Sequence, residues 1–278
     1  MSMPSCPAAF GTFPVTRLQH CVTGLGRTLP RNRVGRRLSG WLRARAQGTA
    51  AGPVDMEVLG VRMRLYLDNN ASERRLLVTP HFFDPNDLEI LASKITPGYA
   101  FVDLGANVGI YSLFVARVAG PDAKILAVEP HPVAARRLRD NIVLNGFHIS
   151  VAEMAVAERD GLLELAVDSN NIGATTVRAG RRVRGRREQI TVPACTLHRL
   201  VAEHGFQRID ALKLDIEGAE GHALRPFLAT APQTLWPRLI LLESHAASGK
   251  CDLMTELEAL GWRRVSDRRT DNCVLQRT

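Results

Sequence analysis

The chain has 278 residues, of which 45% are hydrophobic and 23% charged, so it can bury a core and is not disordered throughout. Its apolar runs, such as residues 239–242, are far shorter than the roughly 18 residues of a spanning helix, which excludes a polytopic membrane protein. Five cysteines without a Cys-x-x-Cys pair argue against a disulfide scaffold or a zinc ribbon and favour a reducing, cytoplasmic location.

The net charge of +8 comes from the N-terminal segment. Residues 1–50 contain eight arginines and no acidic residue, and the remaining 28 basic residues match the 28 acidic ones. Because the body of the chain is neutral, the overall charge does not indicate a nucleic-acid-binding protein. Nucleic acid is therefore not expected as a partner.

Residues 1–53 are interpreted as a basic, partly ordered arm. The pattern predicts a helix over residues 34–46 whose apolar face holds Val34, Leu38, Trp41 and Leu42, ringed by arginines. Three interpretations remain open: a helix packed on the domain, an amphipathic contact with anionic lipid at the inner membrane surface, or a cleaved targeting peptide.

Residues 54–98 form a second segment. Loose alternation predicts a hairpin of Asp55–Leu59 with Val61–Leu67 around Gly60, and a turn follows at residues 68–70. A periodic apolar stripe predicts a helix over Pro85–Ile95.

From residue 99 onward strands and helices alternate, which predicts an α/β fold with a mostly parallel sheet covered on both faces. The predicted strands are Ala100–Leu104, Lys124–Glu129, His148–Met154, Leu162–Val167, Ile190–Val192, Ile209–Asp215, Arg238–Glu243 and a final antiparallel pair, Trp262–Ser266 and Cys273–Arg277. The predicted helices are Ile110–Val118, Pro132–Leu144, Leu197–Glu203, Ala219–Ala229 and Asp252–Leu260.

Ligands of such sheets bind at the carboxyl ends of the strands. Gly105 and Gly109 follow the strand Ala100–Leu104. They form either an ordinary tight turn or a loop whose backbone can approach a ligand. They lack the Gly-x-Gly-x-x-Gly spacing of pyrophosphate sites. Glu129 ends the next strand, where an acid can accept hydrogen bonds from both hydroxyls of a ribose. The pair predicts an adenosine-type ligand without a pyrophosphate.

A second group of polar residues follows two later strands. Asp215 ends the predicted strand Ile209–Asp215 and is followed by Glu217 and Glu220, and Glu243 ends the next strand and is followed by His245. These side chains could act as a general base or hold a divalent cation. A structural network, or an interaction of the acids with the helix dipole, is the alternative.

Four motifs together resemble the FkbM-type methyltransferases, which are class I enzymes dependent on S-adenosylmethionine. They are Gly-Ala-Asn-x-Gly at 105–109, Glu-Pro-x-Pro at 129–132, Lys-x-Asp-Ile-Glu-Gly-Ala-Glu at 213–220 and Leu-Glu-Ser-His at 242–245. The resemblance runs from about residue 81 to 274. It implies a Rossmann-like, seven-stranded sheet in a cofactor-binding domain of residues 99–278, with residues 54–98 covering the cofactor site.

The resemblance also implies roles for individual residues. Asp103, Gly105, Ala106, Asn107 and Gly109 would line the methionine end of the cofactor, Glu129 would hold its ribose, and Met154 and Ala155 would edge its adenine. The implied reaction is O-methylation of a sugar, glycolipid or secondary metabolite, and we expect Asp215, His245 and Glu217 to be the catalytic residues. A magnesium ion is possible, but no motif supports one.

One basic run lies outside these motifs. Residues 178–187 contain six arginines, which form a solvated loop, a clamp for an anionic acceptor or, as a third reading, a nucleic-acid contact. Two other functions remain open for the chain. One is a non-catalytic methyltransferase-fold module that docks on a membrane or an enzyme complex, and the other is an RNA methyltransferase.

Overall fold

A computed structural model of the chain describes residues 7–48, 52–177, 187–243, 250–266 and 272–278. The helices are α1 Arg17–Arg27, α2 Arg33–Gln47, α3 Ala71–Val78, α4 Pro85–Lys94, α5 Ile110–Ala119, α6 Pro132–Asn145, α7 Leu197–Glu203, α8 Glu220–Thr230 and α9 Lys250–Ala259. The strands are β1 Pro53–Val58, β2 Val61–Tyr66, β3 Ala100–Leu104, β4 Lys124–Val128, β5 Ser150–Ala152, β6 Ala155–Val156, β7 Gly161–Asp168, β8 Asn171–Val177, β9 Arg187–Cys195, β10 Ala211–Leu214, β11 Leu239–Glu243, β12 Trp262–Arg264 and β13 Asn272–Arg277.

A central sheet organises the molecule. Within the described residues it has seven strands in the order β12-β13-β11-β10-β3-β4-β5, and β13 alone runs antiparallel to its neighbours. This confirms the predicted mostly parallel sheet with a C-terminal antiparallel pair. The chain first builds outward from β3 to β4 and β5, then returns to place β10 on the other side of β3. This reversal leaves a crevice at the carboxyl ends of β3 and β10.

The two faces of this sheet are covered by two apolar cores. Alternate residues of β3 point to opposite faces: Phe101 packs with the hairpin, α3 and α5, whereas Val102 and Leu104 pack with the side of α7, α8 and α9. Phe101 and Leu104 are fully buried, as expected for a strand between two helical layers.

A second sheet departs from the prediction. Strands β6, β9, β7 and β8 form it, in that order. The predicted strand His148–Met154 is wrong in extent, because only Ser150–Ala152 joins the central sheet and Ala155–Val156 already pairs with β9. Strand β8 was not predicted, since the polar residues before it resemble a loop.

Helix α3 was also not predicted. Asn70 starts it, and its side-chain oxygen accepts hydrogen bonds from the backbone N–H groups of Ser72 (3.0 Å) and Glu73 (3.3 Å). The turn predicted at residues 68–70 is therefore the cap of a helix, and α3 occupies the segment between the hairpin β1–β2 and α4.

The described part of the N-terminal arm is two helices packed on α3 and on each other. Helix α1 starts with a capping box of Thr16 and Gln19 and was not predicted. Helix α2 extends the predicted helix by one residue at each end. Of the predicted apolar face, Leu42 is 3% exposed and packs inward, whereas Val34, Leu38 and Trp41 are exposed.

Candidate active site

A cavity of about 350 Å³ opens at the carboxyl ends of β3, β4 and β10. Its size lies in the range of small-molecule sites, which are about 300–1,000 Å³. Loops after the three strands form its floor, and α3 and β8 supply walls. Its lining includes Ser72, Arg75, Asp84, Gly105, Ala106, Asn107, Glu129, Met154, Ala155, Asn171, Gly173, Lys213, Asp215, Glu217 and Asn272.

The glycine loop after β3 is held by close backbone contacts. Gly105 has φ +74°, and a Cβ built there would lie 1.9 Å from the carbonyl oxygen of Asp215. The N–H groups of Gly105 and Ala106 both donate to the carbonyl of Val128, each at 3.0 Å. Only glycine therefore fits at position 105, where the loops after β3 and β10 touch.

Glu129 is fixed at the end of β4 by two backbone donors. Its Oε2 accepts a hydrogen bond from the N–H of Asn107 (2.8 Å), and its Oε1 accepts one from the N–H of His131 (2.9 Å). The residue is 6% exposed, and burial raises the pKa of Glu129 to about 7 although both donors favour the ionised form. The hydroxyl groups of a bound polyol can donate hydrogen bonds to this preoriented carboxylate.

A buried lysine joins the loops after β3 and β10. The Nζ of Lys213 lies 3.5 Å from Asp103 Oδ1 and 3.4 Å from Asp215 Oδ2, and it donates to the carbonyl of Gly105 at 3.3 Å. Burial disfavours its charge, but the carboxylates of Asp215 and Asp103 outweigh this and raise the pKa of Lys213. Lys213 is therefore charged at neutral pH and ties the two loops together.

The structure places most of the predicted site residues around one cavity. Its lining includes Gly105, Ala106, Asn107, Glu129, Met154, Ala155, Asp215 and Glu217. Whether they bind cofactor or act in catalysis stays a prediction.

Two predicted cofactor residues lie behind the lining rather than in it. Asp103 is fully buried, and its Oδ2 accepts a hydrogen bond from Ser112 at 2.7 Å. A Cβ at Gly109 would lie 2.3 Å from Leu138, so this glycine permits close packing of α5 on α6. Both residues support the glycine loop from the side away from the cavity.

The other predicted site residues lie in parts of the chain that the structure does not describe. His245 and arginines 178–186 lie outside the described residues, as does the side chain of Glu243. The convergence of Asp215 with His245 therefore stays a prediction.

Sequence reasoning missed the wall that α3 and its flanks supply. Asn70 donates from Nδ2 to the side-chain oxygen of Asn107 (2.8 Å), while Ser72 and Arg75 reach the cavity from the next turn. Asp84 adds a carboxylate that accepts from the hydroxyl of Tyr111 at 3.1 Å. The capping asparagine before an apolar stretch was the available signal.

Metal-binding clusters and membrane-spanning helices are both absent from the ranges that the structure describes. Within those ranges, no group of three or more histidine, cysteine, aspartate or glutamate side chains is arranged to hold a metal ion. None of the helices described is long and apolar enough to cross a bilayer.

Comparison with known proteins agrees with this geometry. The family described as "Methyltransferase FkbM domain" matches residues 103–263, more than half of the chain. The chain is 27% identical over 208 residues to 31-O-demethyl-FK506 methyltransferase FkbM of Streptomyces tacrolimicus, covering 65% of this chain and 78% of that protein. It is 31% identical over 152 residues to methyltransferase sdnD of Sordaria araneosa, which covers 45% of this chain, and the chain spans 58% of that protein's length.

Among solved structures, the METTL16 MTase domain is similar with a TM-score of 0.46 and 14% identity, covering 79% of this chain and 74% of that one. The strand order and the cavity at the point where it reverses are those of a class I, S-adenosylmethionine-dependent methyltransferase. The chain belongs to the FkbM methyltransferase family.

Proposed function

We propose that this protein transfers a methyl group from S-adenosylmethionine to a hydroxyl of a sugar, glycolipid or secondary metabolite. The observation that carries the proposal is the buried Glu129 carboxylate, fixed at the floor of a cavity that Asp215 also lines. The Streptomyces tacrolimicus relative is named for 31-O-demethyl-FK506, which supports an oxygen acceptor here.

The residues of the cavity fit the cofactor. Glu129 would accept hydrogen bonds from the ribose, the turn at Gly105 lets backbone approach the ligand, and Met154 and Ala155 offer an apolar edge for the adenine. When bound, S-adenosylmethionine supplies an electrophilic methyl group on a sulfonium. The main contribution of the protein is then to hold the acceptor oxygen in line with that group.

Asp215 is the proposed proton acceptor among the described residues. A sugar hydroxyl is a poor nucleophile at neutral pH and needs a base within hydrogen-bonding reach. The Asp215 side chain is 41% exposed and lines the cavity, and Lys213 holds it from below at 3.4 Å. His245, and Glu217 beside Asp215, are the proposed helpers.

The cofactor site is tested first by calorimetric titration with S-adenosylmethionine and S-adenosylhomocysteine. We expect micromolar binding by the wild-type protein and a loss of at least about tenfold in Glu129→Ala, because a bidentate ribose contact is removed. The control Glu57→Ala removes an exposed glutamate of β1 and should bind normally. If the folded wild-type protein bound neither ligand, the proposed methyltransferase activity would be rejected in favour of the non-catalytic docking module.

The acceptor and the base are tested next with a panel of glycans, lipid-linked sugars and RNA. Asp215→Asn and His245→Ala should lower kcat by about 10²–10⁴ while cofactor affinity is retained. Full turnover by both variants would remove them from the mechanism. Methylation of RNA, with substrate binding that weakens steeply with salt, would replace the hydroxyl acceptor by a nucleic acid.

A further inference from the structure

Helix α1 is packed with its polar face inward. Gln19, Thr23 and Gly26 are buried, whereas Leu18 and Leu25 are 59% and 56% exposed. A Cβ at Gly26 would lie 2.2 Å from the carbonyl oxygen of Val78, so small and polar residues allow α1 to lie close on α3. Leu18 and Leu25 are consequently directed to the surface, whereas Val22 packs against the core.

Helix α2 also exposes large apolar side chains, although it buries one leucine. Its buried positions are Gly35, Ser39, Leu42 and Ala46, spaced at helical intervals. Val34, Leu38 and Trp41 follow the same spacing on another face and are 64%, 47% and 59% exposed. A surface helix of a globular domain normally shows the reverse, with its large apolar residues inward.

The charge around these side chains has a single sign. Residues 1–50 carry eight arginines and no acidic residue. The guanidinium of Arg45 lies 5.7 Å from the ring centre of Trp41, so cationic and apolar groups share one face. We define the arm surface as five apolar side chains (Leu18, Leu25, Val34, Leu38, Trp41) and seven exposed arginines (Arg17, Arg27, Arg31, Arg33, Arg36, Arg37, Arg45).

We propose that the arm surface docks the protein on an anionic lipid bilayer. Large apolar residues with an indole at the headgroup level and arginines beside them are the composition that lies flat in a membrane interface. The absence of any acid in residues 1–50 matches a negatively charged partner. The proposal does not depend on the methyl acceptor or on turnover.

The direct test is flotation of the full-length protein with two kinds of vesicle. One is pure phosphatidylcholine, and the other contains about 30% phosphatidylglycerol to give an anionic surface. We expect binding to the anionic vesicles only, and at least about tenfold weaker partition when salt rises from about 0.1 M to about 1 M. Absence of binding to the anionic vesicles at low salt would overturn the proposal.

Two variants separate the apolar and the charged contributions. Leu18→Ser/Leu38→Ser/Trp41→Ser should lower partition by at least about tenfold through lost apolar burial, and so should Arg17→Gln/Arg33→Gln/Arg37→Gln through lost charge. The matched controls are Val143→Ser/Leu162→Ser/Leu260→Ser and Arg159→Gln/Arg238→Gln/Arg263→Gln, which change exposed residues outside the arm. Equal loss in variants and controls would contradict a specific surface.

Tryptophan fluorescence provides a second readout that does not require separation. Trp41 is exposed, whereas Trp236 and Trp262 stack on each other with ring centres 5.5 Å apart. Anionic vesicles should therefore shift the emission to the blue in the wild-type protein, and Trp41→Phe should abolish the shift while retaining most of the binding. A shift that survives in Trp41→Phe would place the contact elsewhere.

Self-association is the competing use of the same surface. Sedimentation of the wild-type protein and of the triple apolar variant distinguishes the two cases. Concentration-dependent dimers that disappear in the variant, together with no vesicle binding, would show that a second copy covers the arm surface and would reject the lipid.

Discussion

Glu129 combines two properties that are normally in conflict. Its carboxylate is buried, which favours the protonated form, yet both oxygens accept backbone N–H bonds, which favour the ionised form. Burial is the larger effect, and the pKa of Glu129 is raised to about 7. The residue thus titrates in the physiological range when the protein is free of cofactor.

This pKa predicts that cofactor affinity depends on pH. Because ribose hydroxyls donate to the ionised carboxylate, affinity for S-adenosylhomocysteine should rise about tenfold between about pH 6 and about pH 8. Calorimetry across this range, in buffers of different ionisation enthalpy, should also detect proton release. Glu129→Gln should bind weakly with little pH dependence, and a wild-type profile that is flat would refute the assigned role.

The glycine at 105 gives a second prediction at this scale. Gly105→Ala and Gly146→Ala both place alanine at positive φ, but a Cβ at Gly146 meets nothing within 4 Å. We expect the free energy of unfolding to fall by about 1–2 kcal/mol in Gly146→Ala and by more than about 3 kcal/mol in Gly105→Ala, which clashes with backbone. Urea unfolding measures both, and equal losses would show that the loops can separate.

Among the elements, α3 and α6 are joined by a buried ion pair. Arg137 Nη1 lies 2.6 Å from Glu73 Oε2, and both side chains are almost fully buried. The guanidinium also stacks 3.9 Å from the ring centre of Tyr66. Burial raises the pKa of Glu73 to about 7, although Arg137 opposes the shift.

Removing one partner of this pair should be costly. Arg137→Met should lower the free energy of unfolding by about 3–5 kcal/mol, and adding Glu73→Gln should restore most of that loss. The control Arg139→Met, in the exposed pair with Glu153, should cost less than about 1 kcal/mol. A double variant whose loss equals the sum of the single losses would show that the pair is not coupled.

The pH dependence of stability follows from the same group. The native pKa of Glu73 is about 7 against 4.5 in the unfolded chain, so the native state retains a proton that the unfolded chain releases. The stabilisation that protonated Glu73 gives the native state is complete below pH 4.5 and is lost as pH rises through about 7. Without Arg137 the ionised carboxylate is uncompensated, so the loss in Arg137→Met should be larger at about pH 8 than at about pH 5.5.

Some of the helices and strands could be predicted from the sequence, and others could not. Strand β3 and helix α7 match their predicted bounds, because short apolar runs bounded by turn residues and caps fix them locally. Helix α3 and strand β8 were missed, since polar residues at their starts resemble loops and only tertiary packing makes them regular. Both supply walls of the cavity, so the floor of the site was predictable and its walls were not.

At the scale of the whole molecule, α3 connects the arm to the cavity. Ser72 and Arg75 line the cavity, while Leu77 and Val78 belong to the core that Leu42 of α2 joins. The proposed lipid surface and the proposed active site are thus built on one short helix. Nothing in the periodicity of residues 71–78 indicates this double use.

A second contact anchors the start of the arm to the hairpin. Arg64 forms a bidentate pair with Asp55 and also donates to the carbonyls of Ala8 and Ala9. Asp55 in turn accepts from the N–H groups of residues 11 and 13. The first described residues are therefore held by a buried ion pair rather than by apolar packing alone.

Loss of this anchor should expose the start of the arm to proteases. We expect Arg64→Met to speed chymotryptic cleavage after Phe10 by at least about tenfold, because cleavage follows the population of the opened state. Mass spectrometry of the fragments locates the cuts, and Arg225→Met, in an exposed pair with Glu256, is the control. Unchanged cleavage after Phe10 would show that other contacts hold the segment.

The pair of Glu73 and Arg137 has an evolutionary consequence as well. Glu73 belongs to the segment before the matched family domain, and Arg137 lies inside that domain. Neither charge is tolerated without the other, so the two positions should change together among chains that carry this N-terminal segment. A methyltransferase domain that lacks such a segment would be free to place an apolar residue where Arg137 stands.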